Sequence, residues 1–232
     1  MSPPNTPNII QIPRRDVHYP ARLNHLNDPP ETLYCAGNAA LLQLPMIAIV
    51  GSRSASLGGL QNAGYFARGL AKAGLLVISG LARGVDGAAH CAALDVASGS
   101  ATLAVCGTGL DLVYPPEHLS LANKIRQQGL LISEFPLGIG PKASHFPRRN
   151  RLIAALSLGV VVIEAANKSG SLITAKLAVE LGREVFAVPG QINNPLSAGC
   201  HQLIQQGAKL VCRPQEVLEE LLITPKTALR GL

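Results

Sequence analysis

A series of short, almost wholly apolar segments constrains this chain more than any other feature. They fall at residues 46–50, 75–79, 101–106, 130–134, 160–164 and 184–188. Each is too short for a helix, and most are rich in Val, Ile and Leu. Each closes on Gly, Pro or a charged residue, as at Gly51, Gly80, Gly107, Glu134, Glu164 and Pro189. Such runs fit strands buried on both faces. Between them lie stretches of helical spacing, expected at 59–73, 84–97, 117–128, 147–158 and 171–181. Shorter helices follow at 199–206 and 214–222, with a short strand at 209–212 between them. Parallel strands need crossovers of about this length, so the pattern predicts an α/β fold. The expected architecture is an extended Rossmann-like, doubly wound, mainly parallel sheet with helices on both faces. In such sheets ligands bind beyond the carboxyl ends of the strands, where the strand order reverses.

Within the 232 residues, the spans divide as follows. Residues 1–18 read as an irregular N-terminal segment. Residues 19–45, broken by Asp28-Pro29-Pro30, read as an extension packed on the core. Residues 46–222 form the Rossmann-like domain, and 223–232 a short C-terminal tail.

The formal net charge of +6 favours an acidic partner such as nucleic acid or a phosphorylated ligand. Aromatic residues make up only 3%, so base stacking would rest on few rings: Phe146 first, then Phe135 or Tyr114. The five cysteines have no CxxC spacing and read as reduced thiols of a cytosolic protein. Apolar runs are too short to span a bilayer, so no membrane is expected. No GxxxxGK[ST] or GxSxG motif occurs, and the histidines lack metal spacing. Gly138-Ile139-Gly140-Pro141-Lys142-Ala143 matches a dinucleotide-binding pattern only formally, because Pro141 removes a donor amide and no strand directly precedes it.

Chemistry concentrates in the loops that follow the strands. His145-Phe146-Pro147-Arg148-Arg149-Asn150-Arg151 gathers three guanidinium groups, an amide and a ring with no carboxylate among them, and Lys142 lies just upstream. Arginine forks match phosphate oxygens, and a ring stacks on any base. The plainer alternative is a solvated helix start with Pro147 in its first turn. The absence of local acidic partners favours the anion or nucleic-acid reading. Gly51-Ser52-Arg53 offers close backbone approach, a hydroxyl and a charge, or else an ordinary turn. Gly80-Leu81-Ala82-Arg83-Gly84-Val85-Asp86 opens a second helix, and His90 shares a face with Asp86 in what reads as a structural pairing. Ser169-Gly170-Ser171-Leu172-Ile173-Thr174 is a third such start, equally explained by capping.

These motifs, with Tyr19-Pro20, Gly37-Asn38, Gly182-Arg183 and Val188-Pro189-Gly190, occur in an order that resembles the DNA-processing protein A family, also called Smf. The resemblance covers residues 19–222. It implies a bacterial cytosolic protein that binds single-stranded DNA without a cofactor and without turnover. It implies protection of incoming strands during natural transformation, assistance in loading the RecA recombinase, and a homodimer through the C-terminal part of the Rossmann domain. Carried over by motif, Ser52, Arg53, Phe146, Arg148, Arg149, Asn150 and Arg151 line the DNA pocket. Gly170, Ser171 and Thr174 face the strand's backbone, and Lys142 joins from the preceding loop. Many members add an N-terminal helical domain and a C-terminal winged-helix-like domain. No stretch here matches either, so duplex binding is not implied.

The same rim resembles that of nucleotide phosphoribohydrolases, the alternative function. Those need a carboxylate within a PGGxGT-type loop. Val188-Pro189-Gly190-Gln191 and Lys168-Ser169-Gly170-Ser171 hold none, leaving Glu164 or Glu134 to turn inward. A scaffold working through protein contacts is the plainest option, with Leu203, Ile204, Val217, Leu218, Leu221 and Leu222 on apolar helix stripes.

Overall fold

The computed structural model describes residues 9–96 and 101–223. Its strands are β1 Ile9–Pro13, β2 Thr32–Gly37, β3 Met46–Gly51, β4 Leu76–Ser79, β5 Thr102–Val105, β6 Leu130–Ser133, β7 Gly159–Ile163, β8 Glu184–Ala187 and β9 Lys209–Leu210. Its helices are α1 Leu57–Lys72, α2 Val85–Leu94, α3 Leu119–Gln128, α4 His145–Leu156, α5 Gly170–Glu180, α6 Ala198–Gln205 and α7 Pro214–Glu220. The strands form one sheet in the order β1-β2-β6-β5-β4-β3-β7-β8-β9. From β6 to β9 all neighbours run parallel, as the apolar runs require. Every residue of β4, β5, β6 and β7 is buried.

Alternate strand residues feed two core layers. On one face Ile47, Ile49, Val77, Val161 and Phe186 pack with α1, α2 and α7. On the other Ala48, Val50, Ile78, Val160 and Val162 pack with α4, α5 and the N-terminal extension through Tyr19 and Leu23. Chain order runs outward from β3 through β4 and β5 to β6, then returns to the other side of β3 at β7. The reversal therefore lies between β3 and β7. There a Cβ at Gly51 would run into the Ile163 carbonyl, so close pairing at the ends of these strands demands glycine.

One expectation needs correction. Residues 9–13 are not irregular: they form an edge strand antiparallel to β2, which itself pairs antiparallel with β6. Only Ile12 of β1 is buried, so its signal is weak in sequence. Residues 19–45 contribute β2 to the main sheet as well as packing on the core. The end of the expected helix at residue 97, and 224–232 of the expected tail, lie outside the described residues. No helix among the described residues is long and apolar enough to cross a membrane.

Candidate nucleic-acid interface

The loops after β3 and β7 separate where the strand order reverses, and a cleft of about 540 Å³ opens there. Ser52, Arg53, Arg149, Asn150, Gly170, Ser171 and Thr174 line it, seven of the expected site residues in one place. The N-terminus of α5 forms one wall. Ser169 caps that helix by accepting from the Ser171 amide at 3.3 Å, and its hydroxyl meets the Ser171 hydroxyl at 2.7 Å. A Cβ on Gly170 would touch nothing within 4 Å, so this helix end faces open space. Exposed backbone N–H groups and the helix dipole make such an end attractive to anions. Asn150 on α4 donates to the Gly170 carbonyl at 3.3 Å and ties the two helices together at the cleft.

Across Arg53 lies a second hollow, of about 440 Å³, lined by Tyr114, Lys142 and Phe146. The Tyr114 and Phe146 rings stand 5.3 Å apart at an interplanar angle of 37°. The Arg53 guanidinium sits over the Phe146 ring, 5.4 Å from its centroid. Arg53 thus borders both spaces, exposed and without a carboxylate partner among the described residues. Phe135, by contrast, stacks on His145 at 4.2 Å and does not line the hollow.

The other arginines of α4 do not stand free: they lack acidic partners within their own segment, as expected, but the fold brings carboxylates to them from elsewhere in the chain. Glu134, whose side chain is 4% exposed, accepts from Arg148 Nε at 2.9 Å and from Arg151. Asp28 lies 3.4 Å from Arg148 and 4.0 Å from Arg151, and its carbonyl accepts from Arg151. The Glu134 hydrogen bond raises the Arg148 pKa further. Glu134 sits 14 residues before Arg148 and 17 before Arg151, and Asp28 lies 123 before Arg151, so a local reading of the motif misses both partners. Neither Arg148 nor Arg151 lines the cleft or the hollow. Helical geometry explains this: residues 146, 149, 150 and 153 share one face, while 148 and 151 point away.

Arg149 does border the cleft, but it is 4% exposed. Its guanidinium donates to the Gly80 and Val105 carbonyls, knitting together the ends of β4 and β5. A Cβ at Gly80 would collide with it. Burial lowers the Arg149 pKa, and nearby Asp86 opposes that shift. Asp86 is also buried and accepts from the Gly80 and Ala82 amides at 3.1 and 3.3 Å. Burial raises its pKa, with Arg149 and those amides pulling it back. The loop opening α2 is therefore already capped, and its Arg83 pairs with Glu117. His90 does not pair with Asp86. Its Nδ1 lies 2.9 Å from the Thr102 hydroxyl, which itself donates to the Val77 carbonyl.

Lys168 was not singled out from sequence. It lies exposed on the cleft, one residue before the cap of α5. A basic residue preceding a Ser-Gly-Ser helix start was the available signal. Glu164, offered for the alternative function, instead accepts from the Ser56 amide at 2.8 Å and from the Ser56 hydroxyl, pinning β7 to the start of α1.

A model of the family described as DNA recombination-mediator protein A matches residues 11–222. The chain belongs to the DNA recombination-mediator protein A family. Protein Smf of Escherichia coli strain K12 is 49% identical to this family member over 216 residues, covering 93% of the chain and 57% of the relative. The chain thus spans little more than half the length of that relative. DNA processing protein A of Streptococcus pneumoniae superposes with a TM-score of 0.88 at 46% identity, covering 93% of this chain and 75% of that one. The protein of the same name from Helicobacter pylori, solved for its single-stranded DNA binding mode, gives a TM-score of 0.83 at 33% identity. That match covers 93% of this family member and 96% of the H. pylori chain.

Proposed function

We propose that this chain is a non-catalytic single-stranded DNA-binding mediator of recombination, and that the strand runs through the hollow and the cleft on either side of Arg53. The observation that carries this reading is the pairing of two unlike spaces across one unpaired guanidinium. One is lined by rings and Lys142, the other by a helix N-terminus and Lys168. Rings take bases without regard to sequence, while cations and amides take phosphates. In this reading Ser52, Arg53, Lys168, Gly170, Ser171 and Thr174 form the phosphate side, and Phe146, Tyr114 and Lys142 the base side. Asn150, Arg149, Arg148 and Arg151 act as positioning residues that hold α4 and its loop in place. The binding mode for which the H. pylori relative was solved supports the ligand class.

Hydrolysis of a nucleotide's glycosidic bond would need a carboxylate free to act. Asp86, the acid lining the cleft, is committed to two amides, which favours binding over turnover. Family membership extends the proposal to protection of incoming strands during natural transformation, RecA loading and a cytoplasmic setting. It extends also to a homodimer through the C-terminal part of the Rossmann domain. Exposed Ile173 and Val179, beside a groove of about 710 Å³ between α5 and α6, support such an interface.

Fluorescence anisotropy with labelled oligothymidylate and with duplex DNA, each at two salt concentrations, tests the central claim. Tighter, salt-dependent binding of the single strand is expected. Equal or absent binding of both would overturn it.

A further inference from the structure

The cleft and the hollow differ in kind, and the difference bears on the ligand's size and charge. No ring lines the cleft, so it is not a base pocket. Its cations are poorly balanced. Arg53 and Lys168 bring two full charges without carboxylate partners among the described residues. The N-terminus of α5, a helix of 11 residues, adds about half a charge more. The cleft's remaining charged pair, Asp86 and Arg149, is buried and largely self-cancelling. Arg149, which also lines the cleft, has its Nε buried without a hydrogen-bond partner. An under-satisfied guanidinium and an open helix N-terminus thus line one space, a setting that suits an anion. An internal phosphodiester carries one negative charge, whereas a terminal phosphate monoester carries about −1.5 to −2 at neutral pH. The surplus fits the monoester better.

We propose that the cleft is a phosphate-monoester subsite, and that one nucleoside monophosphate fills the whole site with its phosphate in the cleft and its base in the hollow. The inference rests on the single-stranded DNA reading and deepens it. Arg53, shared by both spaces, spans the phosphate and the base of the same nucleotide. Two ligands of one chemistry follow: a free mononucleotide, and the phosphorylated end of a strand. Internal nucleotides use the same positions with less charge to satisfy, so a phosphorylated end is the preferred register and free mononucleotides compete with the strand.

Calorimetry and competition against labelled oligothymidylate test this on the full chain. The ligands are thymidine, thymidine 5′-monophosphate, inorganic phosphate, and short oligothymidylates bearing either a 5′-phosphate or a 5′-hydroxyl. The monophosphate should bind and displace the strand where thymidine does not, which reads the free-nucleotide source. The 5′-phosphorylated oligomer should compete about tenfold better than its hydroxyl twin, which reads the strand-end source. Lys168→Ala should shrink that ratio towards one while leaving stacking intact. Equal affinity of the two oligomers, with no binding of the monophosphate, overturns the inference and leaves the strand-binding reading standing. Inorganic phosphate matching the monophosphate overturns the nucleotide assignment. If the monophosphate binds but oligothymidylate does not, the strand reading fails and the subsite stands. If nothing binds, both fail.

Discussion

Replacing Arg53 by alanine should weaken single-stranded DNA binding more than replacing any arginine of α4. The guanidinium is exposed, borders both the cleft and the ring-lined hollow, and has no competing carboxylate among the described residues. Its contact with the Phe146 ring, at 5.4 Å, exists before any ligand arrives, so little of that cation–π attraction counts toward binding. What is lost is a charge-assisted hydrogen bond to phosphate, about 1.5–3 kcal/mol, or roughly 10–100-fold in affinity. Losing one phosphate contact also lowers the slope of log affinity against log salt by about 0.7 for a single strand. Anisotropy titrations of the wild-type chain and Arg53→Ala across a range of salt measure both numbers. Arg148→Ala, measured in parallel, should move the affinity less than about threefold, because Glu134 and Asp28 already hold that side chain. An unchanged slope and affinity in Arg53→Ala would refute the placement of the strand. So would a larger loss in Arg148→Ala, since the geometry assigns that guanidinium to carboxylates.

Phe146→Ala should weaken binding by about tenfold, within the roughly 1–3 kcal/mol that a stacked base contributes, and leave the salt slope unchanged in the same titration. Glu134→Gln should destabilise the fold by roughly 1–3 kcal/mol in urea unfolding, because Arg151, 13% exposed, keeps only Asp28 at 4.0 Å as an ionic partner; half-exposed Arg148 adds little. Acid should also destabilise the fold through His90. Burial, then His118 and Arg149, depress its pKa to about 3. Keeping this ring neutral stabilises the native state fully above the ordinary histidine pKa, and that contribution is lost as pH falls towards 3. Between pH 7 and pH 5 the loss is about 2 kcal/mol, and His90→Gln should flatten that part of the profile. Asp86 runs the other way. Its raised pKa gives a contribution that is present below the unfolded value and lost as pH rises through the folded one, so it partly offsets His90 in acid.

The sheet was legible because its strands bury both faces. Val160, Val161 and Val162 have nowhere to go but a parallel interior, and the glycine that ends β3 marks a close approach. Edge strand β1 was not, since only Ile12 of its five residues enters the core, too little to set a period. The site was half legible for a related reason. The type of a side chain tells which ligand it suits, but not whether the fold has already given it a partner. Arg148, Arg149 and Arg151 share a motif and a charge, yet the helix turns only the 149 position toward the rim. Carbonyls of two strands and a carboxylate from the end of a third then take up their donors.

That division of labour also says why so many cations stand together. A strand-binding rim must present a few charges in a fixed place, and long side chains on a mobile loop hold no fixed place. Here the buried Arg149 fixes the ends of β4 and β5, and Arg148 and Arg151 fix α4 against Glu134 and the N-terminal extension. The α4 helix carries Phe146 into the hollow and, through Asn150, holds the α5 helix end at the cleft. In the proposed binding mode, the arginines that touch no phosphate set the geometry in which Arg53 and Lys168 can. Arg151→Ala should therefore lower stability and blur the position of the ring, seen as a loss of stacking with the salt slope preserved. A fall in the slope itself would mean that Arg151 reaches the strand directly.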